Sequence, residues 1–260
     1  MRIVIFTEEE YTFMFEPFRQ LLRDLKHAGH QTVGIFIFPA ILGKYKGFRI
    51  YLYYLKTFGL SVFVKLVIMV LGEIIRRFFR SFWNKEPYNY RALGKEFGVP
   101  IIYEKNPNSS GVVGWVQENN VDVIFISFGH IIKNPLIHAA KIAVVNKHSA
   151  LLPAYRGLFP VFWTLLEGKI SVGSTVHKVV SAIDAGEILF QRSYDHLENK
   201  TVFCYYKQIY SDLPSSLLRS LEILEGKRQK EMIVNTLPSY FGLPSRADYK
   251  RLLNKGYKFI

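Results

Sequence analysis

One cysteine, Cys204, is all that the 260 residues hold, so no internal disulfide can form. No Cys/His cluster has zinc-ligand spacing either, and the pair of absences points to a reducing compartment and no structural metal. Cys204, in VFCYYKQI, reads as a small buried residue. Gly-x-Gly-x-x-Gly is missing after the first apolar run, as is a Walker lysine loop, which removes the usual warrant for dinucleotide or nucleoside triphosphate chemistry. There is no Gly-x-Ser-x-Gly elbow and no zinc-protease helix. MRIVIFTEEE meets three glutamates too soon for a secretory apolar region, so no signal peptide is read and a cytoplasmic protein is expected. Acid is scarce: 34 Lys and Arg stand against 21 Asp and Glu, a net charge of +13 that favours an anionic partner.

What is present is the composition of a folded protein, 49% apolar and 21% charged. MRIVIF, the helical pattern of PFRQLLRDLKHAG closed by Gly29, and TVGIFIF read as strand, helix, strand. The alternation resumes with a helix at YRALGKEF, a strand at VPIIYE, a helix at VVGWVQENN, and strands at VDVIFIS and KIAVV. A helix at PVFWTLLEG, strands at SVGSTVHKVV and EILFQRSY, and one long helix from about Val202 to Glu225 follow. The pattern predicts an α/β fold with a doubly wound, mostly parallel, Rossmann-like sheet, whose ligands bind beyond the carboxyl ends of the strands. Residues 1–226 are expected to form the main domain and 227–260 a short extension packed on it, beginning with irregular chain at VNTLPSYFGLPSR. No repeat, low-complexity tract or inter-domain linker interrupts them.

The exception is residues 47–85, an insertion that is apolar and basic together. Positions 41–85 hold nine basic side chains and one acid, Glu73, which is +8 of the whole charge. Three readings stand: one or two helices packed on the sheet with basic ends in solvent, a basic amphipathic helix resting on an anionic membrane face, or a membrane span. The span falls short of about 18 uncharged apolar residues in a row.

VVNKHSALLPAYRGLFP, residues 144–160, carries the chemistry. Residues i and i+2 of an extended segment face one way, so Asn146 and His148 direct an amide and an imidazole at one spot. Such a pair can polarise a carbonyl and move a proton. Asp184, in SAIDAGEILFQ, is a candidate third member, since a carboxylate beside an imidazole fixes its tautomer. The plainer alternatives are a capped strand end for Asn-x-His and a turn former for Asp184.

NKHSALLPAYRGLFPVFWTLLEGKISVGSTVH followed by IDAGEILFQ resembles the core of the folate-dependent formyltransferases. The likeness is strong over residues 146–191 and looser over 100–145. It implies the formyltransferase type of α/β fold, N10-formyltetrahydrofolate as co-substrate without a metal, and Asn146, His148 and Asp184 as catalytic residues. Phe128, Gly129, Ile131, Tyr155, Arg156, Gly157 and Pro160 would then shape the folate pocket, with Pro153 and Pro160 stiffening its loop. His130 and His177 read as structural or substrate-side histidines. Branches of that family with a Gly-rich phosphate loop after the first strand differ here, where the chain reads FTEEEYTFMF. The expected acceptor is the amine of a nucleotide-linked amino sugar, as used for surface polysaccharides, with contacts near Tyr240 and Phe241. The alternatives are methionyl-tRNA formylation, hydrolysis of the formyl donor, and a folate-binding or membrane-associated scaffold without turnover. Nucleic acid is not the expected partner, and any membrane contact would be peripheral, at the inner face, through residues 47–85.

Overall fold

In the computed structural model, residues 1–194, 201–232 and 236–260 are described. Val234 and Asn235, at the start of the segment read as irregular chain, therefore lie outside the described residues. The order begins with β1 (Arg2–Glu8), α1 (Phe15–His27), β2 (Gln31–Phe38) and a small hairpin of β3 (Ile41–Leu42) and β4 (Tyr45–Lys46). The insertion forms α2 (Phe48–Phe58) and α3 (Leu60–Asn84). Then come α4 (Tyr90–Phe97), β5 (Ile101–Tyr103), α5 (Ser110–Glu118), β6 (Val123–Ser127), α6 (Asn134–Ile137) and β7 (Ala143–His148). The chain continues through β8 (Arg156–Gly157), α7 (Pro160–Glu167), β9 (Val172–Lys178) and β10 (Ile188–Tyr194). It closes with α8 (Val202–Ser211), α9 (Leu213–Leu224), β11 (Tyr240–Phe241) and α10 (Arg246–Asn254).

Seven strands form one sheet in the order β10-β9-β7-β6-β1-β2-β5. β5, β2, β1, β6 and β7 are parallel, and β9 and β10 add an antiparallel edge. Ile3, Val4, Ile5 and Phe6 of β1 are all buried, as an unbroken apolar run requires when both faces of a strand are covered. On one face Ile3 and Ile5 pack with Phe15, Leu21 and Leu25 of α1 and Leu217 of α9. On the other, Val4 and Phe6 meet Val112 and Val116 of α5. β1 has β2 on one side and β6 on the other, so the strand order reverses there, and the carboxyl ends of β1, β6 and β7 open a crevice.

Four local features differ from the sequence reading. The long helix from Val202 is two helices, because Pro214 near the start of α9 has no N–H to donate and its ring cannot follow the carbonyl four residues back. The hairpin of β3 and β4 and the short α6 were too brief for periodicity to mark. Cys204 is half-buried rather than fully buried. No helix among the described residues is long and apolar enough to cross a membrane.

Candidate active site

β7 ends in Asn146, Lys147 and His148, and the strand alternation separates their tasks. Lys147 turns away from the crevice, under α8 and α9, where its Nζ donates to the Ile209 carbonyl at 2.7 Å and to Ser216 Oγ at 3.1 Å. Burial pulls its ammonium down to about 7, and Asp212, 3.9 Å away, only partly offsets this. The unfolded chain therefore binds more protons than the folded one between pH about 7 and about 10.5, and folding stability rises with pH across that window. In Lys147→Met that rise is expected to vanish, as chemical denaturation at several pH values would reveal.

Asn146 and His148 share the opposite face. β7 and β9 are antiparallel with Asn146 opposite His177, which brings the Asn146 amide nitrogen to 3.4 Å from His177 Nε2. His177 Nδ1 donates to the Lys178 carbonyl at 2.8 Å, so in the neutral ring Nε2 is an acceptor. Burial pulls His177 down to about 4, which keeps the ring neutral above that pH. A neutral Nε2 can only accept, so it fixes the Asn146 amide with its NH₂ turned toward the ring, and the second amide hydrogen is left for another acceptor.

His148 is buried, with Nε2 donating to the Tyr155 carbonyl at 2.8 Å and Nδ1 facing Asp184 Oδ2 at 3.5 Å. Asp184 adopts a left-handed backbone, φ 48°, and its Oδ2 accepts the Gly157 N–H at 2.8 Å. Its other oxygen lies 3.6 Å from His177 Nε2. Gly157 must be glycine: its φ is +95°, and a Cβ there would meet the Phe241 carbonyl oxygen at 2.3 Å. That close approach is the parallel pairing of β8 with β11, which carries Tyr240 and Phe241 up to the site.

These groups line a cleft of about 660 Å³, within the size range of small-molecule sites. Asn146 and His148, neighbours on β7, meet Asp184 here from a later loop. Phe128, Gly129, Ile131, Gly157 and Pro160 also line it, as do His130, His177 and Tyr240. Tyr155 and Arg156 are not among the lining residues. Tyr155 contributes its carbonyl to His148, and its ring stacks on Phe241 with centroids 5.5 Å apart, while Arg156 pairs with Tyr240 through β8. His130 donates to the Pro39 carbonyl at 2.8 Å. The apolar walls formed by residues 128–132 and 179–183 suit a flat heterocycle, with backbone groups at hand for its polar edge. Among the described residues no group of three or more His, Cys, Asp or Glu is placed to hold a metal ion.

Two acidic lining residues have no assignment in the sequence reading, Glu8 and Glu10, at and just beyond the end of β1. Glu8 Oε2 is buried without a hydrogen-bond partner among the described residues, and burial with the nearby Glu10 pushes its carboxyl up to about 7. Glu10 folds back onto the start of α1: Oε1 accepts from Thr12 N at 2.7 Å, and Oε2 from Phe13 N at 3.0 Å and Met14 N at 2.8 Å. The chain's own carboxylate thus fills the run of turn amides that leads into α1, a backbone concavity of the kind that holds anions. Glu10→Ala, which orphans these donors, is expected to lower unfolding free energy by about 1–3 kcal/mol in chemical denaturation.

Comparison with known proteins bears on the same strands. Residues 95–221 match a family model described as Formyl transferase. The chain is similar to a methionyl-tRNA formyltransferase of Geobacter metallireducens, 30% identical over 108 residues, covering 41% of this chain and 35% of that protein. It is also similar to a bifunctional polymyxin resistance protein ArnA of Wigglesworthia glossinidia brevipalpis, 29% identical over 192 residues, covering 70% of this chain and 28% of the relative. The chain thus spans about a third of the length of each of these two relatives. Among solved structures, WlaRD, a sugar 3N-formyl transferase crystallised in the presence of dTDP and 5-N-formyl-THF, superposes with a TM-score of 0.58 at 15% identity, covering 100% of this chain and 79% of that one.

Proposed function

Since the chain belongs to the folate-dependent formyltransferase family, we infer that it moves a formyl group onto the amine of a nucleotide-linked amino sugar. The observation that carries the reading is the convergence of Asn146, His148 and Asp184 at the carboxyl end of β7, inside one cleft. N10-formyltetrahydrofolate, when bound, supplies an activated formyl carbonyl. Phe128, Gly129 and Ile131 on one wall and Gly157 and Pro160 on another are the residues that would hold it.

The chain's own residues have separable tasks. Asn146, oriented by His177, offers its free amide hydrogen to the formyl oxygen as negative charge grows there. His148 and Asp184 would take the proton that the attacking amine gives up and pass it to the leaving folate nitrogen as its bond to the formyl carbon breaks, the ring being fixed by the Tyr155 carbonyl on one side and the carboxylate on the other. The Gly157 N–H donates to Asp184 and keeps its carboxylate aimed at the ring.

The choice of acceptor rests on the end of β1. An amide cradle that would suit a phosphate there is already filled by Glu10, and the unpartnered Glu8 oxygen is an acceptor for a hydroxyl or an ammonium. This favours a sugar amine over an acceptor whose phosphate would dock on those turn amides. The test is to supply N10-formyltetrahydrofolate with a panel of amino-deoxy nucleotide sugars, with initiator methionyl-tRNA, or with no amine, and to follow formylated product by mass spectrometry and formate release. A formylated sugar is expected. Formylation of the tRNA alone, or formate release alone, would replace this acceptor with another.

A further inference from the structure

The helix α3 is built inside out. Only Val62 and Arg77 of its 25 residues are buried, although at about 1.5 Å per residue it runs nearly 40 Å along the body. Its inward side carries Glu73 and Arg77 in the second half. The Arg77 guanidinium lies over the Phe15 ring, 4.2 Å from its centroid, and donates to the Tyr11 carbonyl. The large apolar side chains look outward: Ile68 is 64% exposed, Phe78 63%, Phe82 76% and Trp83 69%. Leu60, Val64, Ile68, Leu71, Ile75 and Phe78 recur at three- and four-residue spacing and are all exposed, so they form one continuous stripe. Phe48 and Tyr51 of α2 are exposed beside it in the chain. A monomer seldom leaves so much contiguous apolar surface uncovered without a use.

Charge identifies what covers it. Lys65 and Arg76 follow each other along one edge of the stripe at a helical spacing of eleven residues, and Arg49 and Lys56 are exposed on α2. Among the described residues Arg49, Lys56 and Lys65 have no carboxylate within ion-pair distance, and the segment's one acid, Glu73, is engaged by Arg76. Two copies of this face brought together would oppose like charges, and a helix in an ordinary domain would turn such a stripe inward. We propose that α3, with the exposed edge of α2, docks the enzyme on an anionic lipid surface, the apolar stripe entering the acyl boundary and the flanking lysines and arginines meeting lipid phosphates. Spanning is not implied, as no described helix is long and apolar enough for it. The Arg77 contact to Tyr11, next to Glu10 of the cleft, ties the docked helix to the wall of the active site.

The test uses the full chain with vesicles of phosphatidylcholine alone and of phosphatidylcholine mixed with phosphatidylglycerol. The protein is expected to sediment with the anionic vesicles at low ionic strength, to release as salt rises, and to ignore the neutral ones. Trp83 emission should shift to the blue on binding, and the shift should be lost in Trp83→Phe, which still sediments. In a Phe78→Glu, Phe82→Glu double variant, partition should fall at least about tenfold with the circular dichroism spectrum and thermal midpoint unchanged, since both side chains are already in solvent. Protein that stays in the supernatant with anionic vesicles overturns the proposal, as does equal sedimentation of the double variant. A dimer that falls apart in the double variant, with no vesicle binding by the parent, also overturns it and assigns the stripe to a second copy.

Discussion

Asn146→Ala is expected to lower kcat/KM for formyl transfer by about 10²–10³-fold, the loss typical when one preorganised donor to an oxyanion is removed. The fold should be untouched. The deleted amide touches His177, whose ring keeps its bond to the Lys178 carbonyl and retains an Nε2 that is neutral and tolerates losing a donor. Thermal unfolding measured beside the kinetics separates the two effects. A variant within threefold of the parent rate would mean that the amide faces no developing charge and that its register opposite His177 is merely structural.

Asp184→Ala should act on both rate and stability. The carboxylate is the ring partner of His148 and the acceptor of the Gly157 N–H, so its removal unties the histidine and orphans a backbone donor. A fall of about 10²-fold or more in rate is expected, together with about 1–3 kcal/mol of unfolding free energy. Position 184 also has φ 48°, a conformation that asparagine and aspartate tolerate better than alanine. Asp184→Asn therefore gives the sharper result: its side-chain oxygen still accepts from Gly157 and its backbone still fits, so stability should return while the rate stays low. Recovery of both with asparagine would show that Asp184 acts only by shaping the loop.

The parts of this site differ in how far the sequence reveals them. Asn146 and His148 are legible because a strand repeats every two residues, so their common face follows from VVNKH without any tertiary knowledge. Asp184 joins them through a turn whose path no local rule gives, and only the likeness to a known core marks it. His177 was read as a histidine of structural or substrate-side kind. Its contact with Asn146 depends on the antiparallel register of β7 and β9, which is fixed by packing across the sheet and not by either strand alone. FTEEEYTFMF stands out in the sequence only as a stretch without the glycines of a phosphate loop, whereas the folding of Glu10 onto the amides before α1 is a property of the three-dimensional turn.

The fold shows the same division. The parallel core was readable because β1, β2, β6 and β7 are continuous apolar runs separated by helical periodicity. The insertion was not, because a helical apolar stripe looks the same whether it faces a core or the outside. The periodicity of α3 is real, but Glu73 and Arg77 sit on the inner side and Phe78, Phe82 and Trp83 on the outer. Which face turns inward was decided by the partners that Tyr11 and Phe15 offer to Arg77.

The most direct test of the central claim is to follow an isotopically labelled formyl group from N10-formyltetrahydrofolate in the parent protein and in Asn146→Ala, with an amino-deoxy nucleotide sugar as acceptor. The expected result is a labelled formyl group replacing one hydrogen of the sugar amine in the parent, at least about a hundred times faster than in the variant. Label that never reaches the amine, or reaches it equally fast in both proteins, would contradict the assignment of Asn146, His148 and Asp184 as the formyl-transfer site.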